Sequence, residues 1–206
     1  MLEKGCDPHL VDPNLLRHDL GMAYRTLPDR VYQACGVKQI EKWLTQAWNF
    51  NHYKDEYHRY PTKAGWLTRS KSEALICDMV TDEGIPIIYD AVIQIGGQIV
   101  SPDFLLLSPL NYRLYYWEHL GLLDDPQYLE SNAGKFIKYK DAGIHPGIQL
   151  ITTLETENSP LDISAARHLV RMYFGEPSQD WLRIAETWAT LAASTARARG
   201  ELYTGK

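Results

Sequence analysis

Gln98-Ile99-Val100-Ser101-Pro102-Asp103-Phe104-Leu105-Leu106-Leu107-Ser108-Pro109-Leu110-Asn111-Tyr112-Arg113-Leu114-Tyr115-Tyr116-Trp117-Glu118-His119-Leu120 is the stretch on which the reading of this chain turns. It holds two apolar runs, 99–107 and 114–120, joined by the turn formers Ser108-Pro109-Leu110-Asn111. Each run carries one carboxylate, Asp103 in the first and Glu118 in the second, where a strand would ordinarily want Val or Ile. The pattern predicts an antiparallel hairpin with both acids set into its walls. Ionised carboxylates among apolar strands are costly unless a cation or a donor satisfies them. A divalent metal held by both would remove that cost, which makes the pair a candidate site.

Outward from the hairpin, the signals are those of alternating helices and strands. Upstream, residues 85–95 read as extended chain ending in a Gly96-Gly97 turn. Before them, Ser70-Lys71-Ser72-Glu73 fits a capping box, with Leu75, Ile76, Met79 and Val80 as the apolar stripe and Gly84 as the stop. Downstream, Asp125 suits an N-cap and Pro126 the first helical position, predicting a helix to about Ala142 ended by Gly143. Residues 148–154 read as a strand. Ser159-Pro160 opens a helix with Ala166, Leu169, Val170 and Phe174 on one face. Residues 178–199 read as a last helix carrying Trp181, Ile184, Trp188 and Leu191. Near the start, residues 1–35 are rich in turn formers, and residues 37–51 have the spacing of an amphipathic helix. Residues 50–60, rich in Tyr and His, fit either helix or loop, and could stack on nucleic acid or simply pack. The order implies an α/β or α+β fold with a small mixed sheet.

The totals narrow the function classes. A chain of 206 residues with net charge −5 buries roughly 70% of its unfolded surface and needs no staple. The three cysteines, Cys6, Cys35 and Cys77, form no CxxC pair, which argues against a zinc knuckle or a disulfide scaffold. No basic-then-apolar leader is present and no apolar run approaches ~18 residues, so a cytoplasmic protein with no membrane partner is expected. The acidic balance argues against coating nucleic acid by electrostatics alone, but not against a local basic groove beside an acidic site.

Glu73 on the first core helix, Asp103 on the second strand and Glu118 on the third would meet at one sheet edge if that helix packs on a three-stranded meander. Three carboxylates there would suit Mg²⁺ or Mn²⁺, which prefer oxygen ligands. Such a metal can activate water against a phosphodiester.

These residues resemble the PD-(D/E)xK nuclease superfamily. Pro102-Asp103 stands as the "PD", Glu118 as the second acid, and Glu73 as the acidic residue of the first core helix. The resemblance extends over about residues 60–175, through Arg69-Ser70-Lys71-Ser72-Glu73, Tyr116-Trp117-Glu118-His119-Leu120-Gly121, Asp124-Asp125-Pro126-Gln127-Tyr128 and Leu150-Ile151-Thr152-Thr153-Leu154-Glu155-Thr156. It implies an α/β restriction-endonuclease-like core (helix, three-stranded meander, helix, strand, helix) at 61–175. A helical or irregular extension at 1–60 and a C-terminal helix at 176–206, packed on the core or at a dimer interface, would complete the chain.

The resemblance also implies roles. Asp103, Glu118 and Glu73, with the His119 backbone carbonyl, would hold Mg²⁺ or Mn²⁺. The substrate would be nucleic acid, DNA ahead of RNA, and a homodimer could cut both strands. The family lysine belongs two residues after the second acid, where this chain has Leu120. Some members supply it from the following helix, which here offers Lys135, Lys138 and Lys140. Lys135, one turn from Tyr139, is the first choice and Lys138 the second. The catalytic set is then Glu73, Asp103, Glu118 and Lys135. The alternative is a nuclease-fold module without strong catalysis that binds nucleic acid or a protein.

Overall fold

The structure is a computed structural model and describes residues 40–53, 55–108, 113–177, 182, 185 and 188–201. The expectations for residues 1–35, for the turn Pro109-Leu110-Asn111 and for Trp181 and Ile184 lie outside the described residues. The fold is mixed α/β, built round a four-stranded sheet.

That sheet has the order β4 (Ile87–Tyr89), β7 (Phe104–Leu107), β8 (Leu114–Leu120), β9 (Leu150–Leu154). The first three strands are mutually antiparallel, and β9 joins β8 in parallel. Parallel pairing requires a crossover, and helix α2 (Pro126–Asp141) supplies it. Successive side chains of β8 point to opposite faces. Tyr116 and Glu118 meet Tyr139 of α2. Tyr115 meets Tyr173 and Phe174 of α3 (Ile163–Phe174) on the other face. Every residue of β7 is buried, as a strand covered on both faces requires.

Two breaks separate this sheet from the uninterrupted strands that the apolar runs suggest. The run 85–95 divides at Asp90, whose φ of +54° turns the chain out of β4 into β5 (Ala91–Ile95). The run 99–107 divides at Ser101-Pro102-Asp103, because proline has no N–H to continue the ladder, leaving β6 (Gln98–Val100) and β7. Asp103 therefore stands at a bend just before β7, not within a strand wall. Strands β5 and β6 leave the main sheet and form a second one with β1 (Asn49–Phe50). Their Gly96-Gly97 turn packs on the end of α2. A Cβ at Gly96 would come 3.0 Å from the Ala142 backbone, so the turn approaches as closely as only glycine permits.

The helix predicted over 37–51 shows helical residues 40–45 and then gives way to β1, which pairs Asn49 with Val92. Residues 50–60 hold a single 3-10 turn, Asp55–Tyr57, before a short hairpin of β2 (Tyr60–Pro61) and β3 (Leu67–Thr68). Helix α1 (Lys71–Asp82) carries the complete capping box, Ser70 accepting from the Glu73 N–H and Glu73 accepting from the Ser70 N–H. Asp125 caps α2 and Asp162 caps α3, three residues later than Ser159. The last helical stretch is interrupted by a turn at 189–190 before α4 (Leu191–Ala198). Trp188, Ala192, Ala193 and Ala196 are buried there against the core. Among the described residues no helix is long and apolar enough to cross a membrane.

Candidate active site

The hairpin register brings the two acids together. Phe104 pairs with Trp117, so the next position on each strand sets Asp103 against Glu118. Asp103 Oδ2 accepts the His119 backbone N–H at 2.7 Å, which fixes the carboxylate and aims Oδ1 away from the ladder. Glu118 is 1% exposed and Asp103 7%. Burial at this depth demands partners, and α2 provides them one turn apart, where i,i+4 side chains share a face. Lys135 Nζ donates to Glu118 Oε2 at 2.6 Å and lies 3.9 Å from Asp103 Oδ1. The Tyr139 hydroxyl donates to Glu118 Oε1. The ion pair of Glu118 is thus made from α2, by Lys135.

These contacts set the protonation states. Burial, and then the charge of Asp103, push Glu118 up to about 8, against the pull of Lys135 and Tyr139. Burial alone would lower the Lys135 ammonium. The charges of Asp103 and Glu118 outweigh it and hold Lys135 above the ordinary lysine value. Lys135 is therefore a cation at physiological pH and suits charge stabilisation, not proton abstraction.

Glu73 reaches the same region from the first turn of α1. Its Oε2 accepts three donors: the Arg69 N–H at 2.9 Å, the Ser70 N–H at 3.2 Å and the Tyr89 hydroxyl at 2.8 Å. Burial and then the charge of Asp103 raise its pKa, while Arg69 and Tyr89 oppose the shift. Between Glu73 and Asp103 lies the Arg69 guanidinium, with Nη2 3.9 Å from Glu73 Oε1 and 3.5 Å from Asp103 Oδ1.

Arg69 and a further carboxylate, Asp90, are the members the sequence reading missed. Asp90 Oδ2 is 3.1 Å from Arg69 Nη1, and Asp90 is 1% exposed. Its signal was the one that singled out Asp103 and Glu118: an acid in the middle of an apolar run, Ile87-Ile88-Tyr89-Asp90-Ala91-Val92.

Other candidates are drawn elsewhere. The His119 side chain points to the face opposite Glu118, where Nδ1 meets Thr153 Oγ1 at 3.0 Å and Nε2 lies 3.3 Å from Glu155 Oε1. Its carbonyl lies on the same strand edge as its N–H, toward Asp103, and accepts the Tyr128 hydroxyl at 3.4 Å. Lys138 and Lys140 are exposed near the end of α2. Asp125 is a helix cap and Asp124 accepts the Glu157 N–H. Tyr53 and Tyr57 are exposed, whereas His58 is buried against Tyr89.

Glu73, Asp90, Asp103 and Glu118 bring up to four negative charges to the cluster, against two positive ones on Arg69 and Lys135. Among the described residues no three acidic, histidine or cysteine side chains form a ready metal cage. Two carboxylates and one carbonyl are what Asp103, Glu118 and His119 offer a cation. A cavity of about 550 Å³ bounded by Gly121, Asp124, Asp125, Glu155, Glu157 and Pro160 contains none of the cluster, and its acids would repel a phosphate. Compared with protein-family models, curated proteins and solved structures, the chain matches none.

Proposed function

We propose that this chain is a metal-dependent nuclease of the PD-(D/E)xK type that hydrolyses phosphodiester bonds in DNA. The observation that carries the reading is Lys135, whose ammonium lies 2.6 Å from Glu118 and 3.9 Å from Asp103 although Leu120 occupies the strand position of the motif lysine. The helix thus offers at the two acids what the strand lacks. The element order α1, β4-β7-β8, α2, β9, α3 supports the same reading, being the order of the restriction-endonuclease-like core.

The donor set fits Mg²⁺ or Mn²⁺. Asp103, Glu118 and the His119 carbonyl are all hard oxygen donors, and Mg²⁺ typically uses one or two carboxylates and keeps its remaining positions for water and phosphate. The excess of up to two negative charges in the cluster equals the charge of one such ion. When bound there, the ion would supply Lewis acidity and a water of lowered pKa. The chain's own groups do the rest. Asp103, fixed by the His119 N–H, presents Oδ1. Lys135 faces both acids and stabilises charge developing on the phosphate and the attacking water. The Arg69 guanidinium stands between Glu73 and Asp103, so Glu73 serves best as the anchor of Arg69 and Tyr89 and leaves the ion to Asp103 and Glu118.

The test is cleavage of plasmid and single-stranded DNA with Mg²⁺ or Mn²⁺, scored against Asp103→Ala, Glu118→Ala and Lys135→Ala. Each variant should lose about 10²–10⁴-fold in rate. Equal activity in Asp103→Ala and Glu118→Ala would sink the assignment.

A further inference from the structure

Asp90 is the only non-glycine residue with positive φ among those described. Side chains other than Asn and Asp rarely occupy this region, and strain retained in a buried residue calls for a reason. Four side chains converge on its carboxylate. Oδ1 accepts from Ser101 Oγ at 3.1 Å and Asn51 Nδ2 at 3.4 Å. Oδ2 lies 3.1 Å from Arg69 Nη1 and 3.7 Å from His58 Nε2. Its backbone N–H donates to the Asp103 carbonyl at 2.9 Å, tying the bend directly to the bend that carries Asp103.

The consequence falls on Arg69. With Nη1 held by Asp90 and the guanidinium 5.7 Å from the Tyr89 ring centre, Nη2 is directed at Asp103 Oδ1. Lys135 approaches that same oxygen from α2. The Arg69 side chain keeps 19% of its surface open. A guanidinium carries five N–H donors in a planar fork that matches phosphate oxygens.

We propose that Arg69 is a second phosphate-binding cation of this site, opposite Lys135, and that Asp90 is the positioning residue that aims it. The ligand class is a phosphodiester, bound through its non-bridging oxygens. The inference rests on the nuclease reading and adds to it a substrate contact and the residue behind that contact. If Asp90 served only to make the turn, asparagine would replace it without loss, because asparagine adopts this backbone conformation most readily and keeps the Oδ1 acceptor.

Steady-state cleavage of a DNA oligonucleotide with Mg²⁺ across a salt series tests this. Arg69→Gln should raise KM about 10- to 100-fold with a smaller effect on kcat, and lower the salt slope of log(1/KM) by roughly one. Asp90→Asn should raise KM about 10-fold in a protein that still unfolds cooperatively above the assay temperature. Should Arg69→Gln fail to fold, Arg69→Lys keeps the charge and loses the fork, and a KM raised about 10-fold with an unchanged salt slope is then expected. Unaltered KM and salt slope in Asp90→Asn and in the folded Arg69 variant would overturn the inference while leaving the nuclease reading intact. A raised KM in Asp90→Asn alone would overturn the role given to Arg69. Absence of cleavage by the unaltered protein would remove both.

Discussion

Replacing Glu118 with Gln removes a titrating proton from a carboxyl of the site that is only 1% exposed and keeps its shape. In the metal-free protein Glu118 ionises at about 8, against an ordinary value of 4.5, because burial and Asp103 both disfavour its charge. A carboxyl raised in this way contributes stability that is fully present below 4.5 and is lost as pH climbs through about 8. At about 1.4 kcal/mol per pH unit the interval sets a ceiling of roughly 5 kcal/mol, and relaxation round the anion would reduce it to a few. Lys135 is shifted upward and stays charged through this window, and Glu155 is shifted downward, so neither mimics the effect. Glu73 is shifted upward like Glu118 and is common to both proteins in the comparison. The assay is urea unfolding at intervals from pH 5 to 9 in EDTA, with the m-value as a check that the same transition is followed. The unaltered protein should lose a few kcal/mol more than Glu118→Gln across that range. Mg²⁺ should restore much of the loss at pH 8 and above in the unaltered protein alone, because it binds the ionised carboxylate. Parallel stability curves for the two proteins from pH 5 to 9 would refute the reasoning about Glu118.

Lys135→Ala should lose at least about 10²-fold in cleavage rate, and adding Leu120→Lys to it should return a measurable part. Leu120 lies on the Glu118 face of β8, two residues on, so failure of rescue in a folded double variant would show that the ammonium must arrive from α2. Phe104→Ala opens a cavity at a side chain with no exposed surface that packs at a tilt against Tyr89, and should cost about 3–5 kcal/mol in equilibrium unfolding. A cost below about 1 kcal/mol would mean that the β4–β7 junction repacks freely.

The parts of the fold legible in the sequence are those set by neighbours in the chain. The capping box at Ser70 and Glu73, the Asp125-Pro126 start of α2 and the Gly96-Gly97 turn are local devices, and each stands where its chemistry predicts. The parts not legible depend on distant partners. Residues 49–50 read as helix because Trp43, Ala47 and Trp48 keep helical spacing, yet β5, some forty residues on, takes them as a strand. The break at Asp90 left no turn signature, since its left-handed backbone is sustained by Arg69, Ser101 and Asn51 from three other segments. The site shows the same division. Asp103 and Glu118 are opposite one another because a hairpin makes them so. Arg69 joins them only once α1 docks, and nothing in the order of residues announces that its guanidinium lies between Glu73 and Asp103.

Helix α2 buries Tyr139 against the sheet, with Phe136 packed beside it and Lys135 paired to Glu118. Its attachment and the charge on Glu118 are linked, because Lys135 and Tyr139 of the helix are the partners of that carboxyl. Were the helix to lift, Lys135 and Tyr139 would leave together, water would reach Glu118, and the carboxyl would return toward the acidity of an ordinary glutamic acid. When the helix settles, the carboxyl takes up a proton or shares a cation. The crossover that closes the sheet is in this sense the lever of its own chemistry.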